Sequence, residues 1–299
     1  MEQSKSQMPT LTQGNFIPQY KKKRFLHKGN CSKTYLVEEI NTKKEYVIKT
    51  RNLKDLCKKD KEDSILEVKI LKKFEHPNII HFEEAFICKL PKYTLNIITE
   101  FADGGDLSQK IEKQIEHKLY FEEDLIINYF TQICLALNHF HSKNIILRDI
   151  NDRNIFLTKN GIIKLGGFHF SKKLEKFGFL KTILGTPYYL SPEIVKNEPY
   201  NYKTDIWSLG VMLYRMTTLK LPFDASNLQI LVMRILKGKY NPIPNNYSKE
   251  LAELISQLLK VNPEERPNVT EILNYDIIKE RMKVLIEEVS YYKDFRKTL

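Results

Sequence analysis

The residues with the most chemical potential in this chain of 299 lie close together between positions 147 and 169. Leu147-Arg148-Asp149 is followed by Asn151, Asp152 and Asn154. After an apolar run come Gly166, Gly167, Phe168 and His169. A carboxylate such as Asp149 can orient a hydroxyl group and accept its proton. Gly167 has no side chain, and its neighbours Gly166 and Phe168 supply no carboxylate. Asp152 is near in sequence, but its position in the run turns it away from any ligand held by Asp149. The four cysteines, Cys31, Cys57, Cys88 and Cys134, are scattered and form no Cys-x-x-Cys pair, so neither a zinc site nor a disulfide framework is expected.

The elements that must position these groups change character along the chain. Residues 1–19 are polar, contain Pro9 and Pro18, and read as a mobile tail with no apolar secretory segment. From 20 to 50, short apolar runs alternate with turns and predict strands joined by a connection at 39–43. Apolar residues at 65, 66, 68, 70, 71 and 74 predict a helix over 61–74, ended by His76-Pro77-Asn78. Strands are expected at 79–87 and 93–99. Beyond Asp103-Gly104-Gly105-Asp106, helical spacing dominates at 107–115, 122–142, 204–217, 225–236, 248–260 and 268–273. Met282, Leu285, Ile286 and Val289 extend the pattern into a terminal helix over 279–299.

A strand-rich first part and a helix-rich second part imply an α+β chain of two lobes joined near 100–105. The formal net charge is +11, from 48 Lys and Arg against 37 Asp and Glu. Because the lysines are spread along the chain, a solvated basic surface is read ahead of a polyanion-binding one, and no nucleic acid is expected. Lys21-Lys22-Lys23-Arg24, the densest basic run, is read as flanking the first strand. No run of about 18 apolar residues is present, so no membrane span is expected.

Several segments in this order resemble eukaryotic protein kinases, and most closely the NIMA-related (Nek) group. They are Tyr46-Val47-Ile48-Lys49, Phe101 to Leu107, Asn154-Ile155-Phe156-Leu157-Thr158 and Gly185-Thr186-Pro187 to Glu193. The resemblance covers about residues 20–278. It implies a bilobal protein kinase fold: a β-rich N-lobe over 20–99 with a helix αC, a hinge over 100–105, and an α-rich C-lobe over 106–278, with ATP between the lobes.

Each role below is what that resemblance implies. Lys49 touches nucleotide phosphates and pairs with Glu67 of helix αC; with Asp149 as base these form the catalytic set. Leu26, Thr34 and Val47 roof the adenine, Phe156 forms its floor, Thr99 is the gatekeeper, and Glu100 and Ala102 meet its edge. The phosphate loop, normally Gly-x-Gly-x-x-Gly, reads His27-Lys28-Gly29-Asn30-Cys31-Ser32, so only Gly29 survives. Asn154 keeps a metal-binding amide. The His of His-Arg-Asp is Leu147, the phosphate-contacting Lys is Asn151, and the metal-binding Asp of Asp-Phe-Gly is Gly167. Leu147 is read as a packing substitution of little structural cost. Arg148, Thr182 and Thr186 belong to activation-segment regulation, with Thr182 the phosphosite. Glu193 paired with Arg266, and Asp205 bonded to backbone amides, brace the C-lobe.

Two functions follow from this pattern. The favoured one is a pseudokinase that keeps a nucleotide cleft and acts on protein partners as a scaffold or allosteric regulator. The alternative is a Ser/Thr kinase with slow or metal-atypical transfer of the ATP γ-phosphate to a protein substrate. ATP is the expected cofactor, and Mg²⁺ binding is placed in question by Gly167. A cytoplasmic setting is expected, and the resemblance extends it to cytoskeleton, centrosome or cilium.

Overall fold

The computed structural model describes residues 12–14, 19–29, 32–54, 56–88, 93–168 and 187–298. These form two compact units, and the chain passes from the first to the second between Asp103 and Gly104.

The first unit is a six-stranded sheet with one helix. Its strands are β1 (Thr12–Gly14), β2 (Tyr20–Lys28), β3 (Ser32–Glu39), β4 (Glu45–Asn52), β5 (Phe82–Cys88) and β6 (Thr94–Glu100), and its helix is α1 (Lys58–Leu71). The order across the sheet is β1-β5-β6-β4-β3-β2. All pairings are antiparallel except β1 with β5, where Thr12 to Gly14 align with Phe86 to Cys88 in parallel. This strand falls within residues 1–19, which the sequence reads as a mobile tail. Thr12-Gln13-Gly14 has no alternating apolar pattern, and its strand state comes from backbone pairing at the open edge of β5.

Period-2 alternation sorts the sheet's two faces. Val37, Tyr46, Ile48, Phe86, Cys88 and Ile98 bury one face as a core cluster with Tyr20. The opposite set on the central strands includes Thr34, Val47, Lys49 and Thr99. Thr34 is aligned with Lys49, and Val47 with Thr99.

Helix α1 begins three residues earlier than its apolar spacing predicts. The backbone N–H of Asp60 donates to Cys57 Sγ at 3.4 Å, so a thiol takes the place of the usual hydroxyl or carboxylate cap.

The second unit contains α2 (Leu107–His117), α3 (Glu123–His141), the hairpin β7 (Ile155–Leu157) and β8 (Ile163–Leu165), α4 (Pro192–Val195), α5 (Lys203–Thr218), α6 (Leu228–Lys237), α7 (Lys249–Leu258), α8 (Val269–Ile272) and α9 (Asp276–Thr298). Asp106 starts α2 through a capping box with Gln109. Every residue of α5 except Arg215 is buried, as expected for a helix apolar on all sides. Gly210 allows α5 its approach to α7: a β-carbon there would lie 2.8 Å from Leu258 Cβ. Helix α9 starts inside the predicted C-lobe segment and packs on α3, where Arg281 Nη2 lies 3.3 Å from Asp124 Oδ1.

Candidate functional site

Three features set the loop that carries Asp149. The buried carboxylate of Asp205, on α5, accepts the backbone N–H of Leu147 at 3.0 Å and of Arg148 at 2.9 Å. His141 Nε2, at the end of α3, lies 2.8 Å from the same carboxylate. Held this way, Arg148 adopts φ +67°, a left-handed conformation that non-glycine residues rarely take. The guanidinium of Arg148 also lies 5.3 Å from the centre of the Tyr200 ring. The hairpin then brings the two halves of the site together. Ile155 is aligned with Leu165, so Asn154 and Gly166 are neighbours, and Gly166 N–H donates to Asn154 O at 2.9 Å.

Asp149 is clamped by two amides. Asn151 Nδ2 donates to Asp149 Oδ1 at 2.7 Å, and Asn154 Nδ2 donates to Oδ2 at 3.0 Å. Both amides also reach the Asp149 carbonyl oxygen, at 3.1 and 2.9 Å. Asn151 is itself buried and fixed, because its Oδ1 accepts Arg153 N–H at 3.0 Å. Desolvation raises the pKa of Asp149 above the ordinary carboxylate value, against the lowering effect of Asn154 and Asn151. The result is a preorganised hydrogen-bond acceptor with no cation beside it from position 151.

Gly167 closes the other side. Its φ is +69°, and a β-carbon built there would sit 2.1 Å from Asn154 Oδ1 and 2.2 Å from Asn154 Cγ. The side chain of Asn154 therefore fills the space a side chain at 167 would need. Magnesium requires a near-octahedral set of oxygens at about 2.0–2.1 Å, commonly with one or two carboxylates. Here Gly167 provides none, which leaves the Oδ1 of Asn154, whose Nδ2 donates to Asp149, without a carboxylate beside it from position 167. Asp152 is fully buried and paired with Arg215 of α5. Among the described residues, no group of three or more His, Cys, Asp or Glu is arranged to hold a metal. The residues present do not fit a magnesium site.

The first unit holds the remaining candidates. Lys49 Nζ donates to Glu67 Oε1 at 2.8 Å, which joins the centre of β4 to α1. Burial pulls the Lys49 ammonium below its ordinary pKa; Glu67 opposes this and Arg51 adds to it. Glu67 has a second cationic partner that sequence reasoning missed: Arg51 Nη2 lies 2.9 Å from Glu67 Oε2. The available signal was the i, i+2 spacing of Lys49 and Arg51, which places both on one strand face.

Leu26 lies on β2, and Thr34, Val47 and Thr99 lie on β3, β4 and β6. Gly29 N–H donates to Ser32 O at 2.9 Å, so that amide is engaged within the phosphate loop's own turn. Glu100 N–H donates to His81 O at 3.0 Å, whereas Ala102 has no hydrogen-bond partner among the described residues. Phe156 belongs to the second unit, on β7, where its backbone forms a bridge with Asp106.

The structural pair is complete. Arg266 donates to both carboxylate oxygens of Glu193 at 2.8 Å. Its other N–H groups reach the carbonyls of Lys260, Lys203 and Val261 at 2.7, 2.9 and 3.1 Å. The guanidinium lies 5.0 Å from the centre of the Trp207 ring, which stacks on Phe223. Thr182 and Thr186 lie outside the described residues.

A family model described as protein kinase domain matches residues 20–278. The chain is 40% identical to mouse serine/threonine-protein kinase Nek1 over 280 residues, covering 93% of this chain and 23% of that protein. Human serine/threonine-protein kinase Nek5 is 45% identical over 247 residues, 82% of this chain and 34% of that protein. A probable serine/threonine-protein kinase nek2 of Dictyostelium discoideum is 41% identical over 238 residues, 77% of this chain and 57% of that protein. The chain thus spans between about a quarter and a little over half the length of these curated relatives.

Proposed function

We propose, from the premise that this chain belongs to the protein kinase family and is similar to Nek serine/threonine kinases, that it is a Nek-like pseudokinase. In this reading it binds nucleotide with little or no help from magnesium and acts on protein partners as a scaffold or allosteric regulator. One observation carries the reading: position 167 is a glycine with no carboxylate, and the side chain of Asn154 lies in the space that a metal-binding side chain there would need. Phosphoryl transfer depends mainly on positioning and on neutralising charge at the phosphate oxygens. Asn151 supplies no cation, and Gly167 supplies no metal ligand. Removing one preorganised electrostatic group costs on the order of 10²–10³ in rate, and this loop lacks two.

Nucleotide recognition is supported in the first unit. The backbone of Ala102, without a hydrogen-bond partner among the described residues, offers a donor and an acceptor to an adenine edge, and Lys49 offers a cation to phosphate. Glu193, Arg266 and Asp205 hold the second unit's framework and have no reacting role. Protein partners are favoured over nucleic acid. No helix among the described residues is long and apolar enough to cross a membrane, and a cytoplasmic setting is proposed.

The alternative, a slow Ser/Thr kinase, rests on the intact Lys49–Glu67 pair and on Asp149 oriented by two amides. The two readings separate in one experiment. ATP-dependent thermal stabilisation is measured in EDTA and in Mg²⁺ or Mn²⁺, and phosphate transfer to a generic Ser/Thr peptide is followed alongside. The pseudokinase reading expects stabilisation in EDTA and no transfer. Turnover that disappears in Asp149→Asn establishes the kinase reading instead.

A further inference from the structure

The ion pair on Glu67 is a triad. Lys49 Nζ is 2.8 Å from Oε1 and Arg51 Nη2 is 2.9 Å from Oε2. Glu67 is 7% exposed by side chain, against 22% for Lys49 and 14% for Arg51. Two cations on one carboxylate leave the cluster with one surplus positive charge. A carboxylate this buried cannot lose its partner cheaply, because an uncompensated buried charge is strongly destabilising. With Lys49 alone, the carboxylate of Glu67 would cancel the charge that Lys49 brings to a phosphate. With Arg51 in place, Glu67 stays paired.

Arg51 is built to remain. Its Nη1 donates to Ser64 Oγ at 2.9 Å, and Ser64 Oγ donates to Asp60 O at 2.7 Å. The guanidinium therefore spans Ser64 and Glu67, one turn apart on α1, in a two-pronged geometry that a flexible lysine does not reproduce. The register places it well. Arg51 is aligned with Ser32, the last residue of the phosphate loop, and Lys49 with Thr34. The surplus charge lies on the same strand face as Thr34 and Val47, at the loop end of β4.

We infer that Arg51 is a positioning residue for metal-free nucleoside polyphosphates: it keeps Glu67 neutralised so that Lys49 is available to the phosphates, and its charge substitutes in part for the missing metal. This rests on the nucleotide-binding, metal-poor reading of the site and names the residue that makes it electrostatically feasible.

Isothermal titration in EDTA with ATP and with adenosine, on the wild-type chain, Arg51→Leu, Arg51→Gln and Arg51→Lys, tests it. The expected result is ATP affinity weakened roughly tenfold or more in Arg51→Leu and Arg51→Gln, with adenosine affinity unchanged. Arg51→Lys keeps the charge but not the two-pronged contact, and should recover part of the ATP affinity lost in the neutral variants. Arg51→Gln keeps hydrogen bonding toward Ser64 and Glu67 without the charge, so it carries the test if Arg51→Leu does not fold. ATP affinity unchanged in the neutral variants overturns the inference and leaves the metal-poor reading standing. Equal loss for ATP and adenosine also overturns it, because that shows a purely structural role. Wild-type binding of ATP only with Mg²⁺ present overturns both.

Discussion

At Asp149 a reactive-looking carboxylate has been given new company, and Gly167 is the residue that allows it. Read from sequence, Gly167→Asp together with Asn151→Lys looks like a simple repair of a metal site and a phosphate contact. The geometry makes the first substitution costly. A β-carbon in a left-handed conformation costs about 1–2 kcal/mol, and at φ +69° it would also lie 2.1 Å from Asn154 Oδ1. Gly167→Asp is therefore expected to lower unfolding free energy in urea by about 2 kcal/mol, with Asn151→Lys failing to recover it. Wild-type stability in Gly167→Asp would mean that the loop rearranges freely and that Asn154 is not a lock. Sequence reasoning could identify Asp149, Asn151, Asn154 and Gly167 as the residues that matter, because types and spacing in a short loop are local facts. It could not tell that Asn154 donates to Asp149, since side-chain direction depends on the β7–β8 alignment and on what is missing at 167. Arg51 escaped for a similar reason: its partner Glu67 is on another element.

Helix α5 is the element on which the second unit depends, through Asp205 at its start and Trp207 one turn within it. Arg266, outside this helix, is fixed by Glu193, by three carbonyls and by the Trp207 ring. Breaking one partner of such a buried pair costs about 3–5 kcal/mol, and Arg266→Met is expected to lose that much. Burial alone would raise the Glu193 carboxyl, but the hydrogen bonds and charge of Arg266 outweigh it and hold it below the ordinary value. Its contribution is thus full above the ordinary glutamate pKa and is lost as pH falls through the folded-state value. The stability gap between wild type and Arg266→Met, followed by Trp207 emission, should shrink on acidification through that range. A gap independent of pH would show that packing against Trp207, and not the ion pair, is what Arg266 provides. Helices α2, α3, α5, α6 and α7 were legible from sequence because their apolar residues recur at helical spacing over ten or more positions, whereas the four-residue α4 was not. The start of α1 was not, because Cys57 is an unusual cap, and β1 was not, because its state is imposed by a distant strand edge.

Across the whole molecule, the chain carries one tryptophan, and it lies in the second unit, stacked on Phe223 at 5.3 Å between ring centres. Emission therefore reports on that unit, and ligand titrations of Lys49 and Arg51 need calorimetry. The sheet of the first unit has two outer strands, treated in opposite ways. On one side β1 pairs with Phe86 to Cys88 at the end of β5. On the other, β2 exposes Lys21, Lys22, Lys23 and Arg24 in succession. Unpaired strand edges are templates for pairing with other chains, and charged side chains are a common means of preventing it. The basic run that looked like a possible polyanion site thus has a colloidal consequence: like charges at that rim repel a second copy. The opposite rim has only a three-residue cover. Removing residues 1–18 is expected to leave the β5 edge open and to raise light scattering on warming, at concentrations where the intact chain stays clear. Identical scattering from both forms would show that β5 is protected by its own short length. The tail would then have no part in solubility. In the outcome expected here, a stretch that looks dispensable by composition sets the concentration at which this protein can be handled.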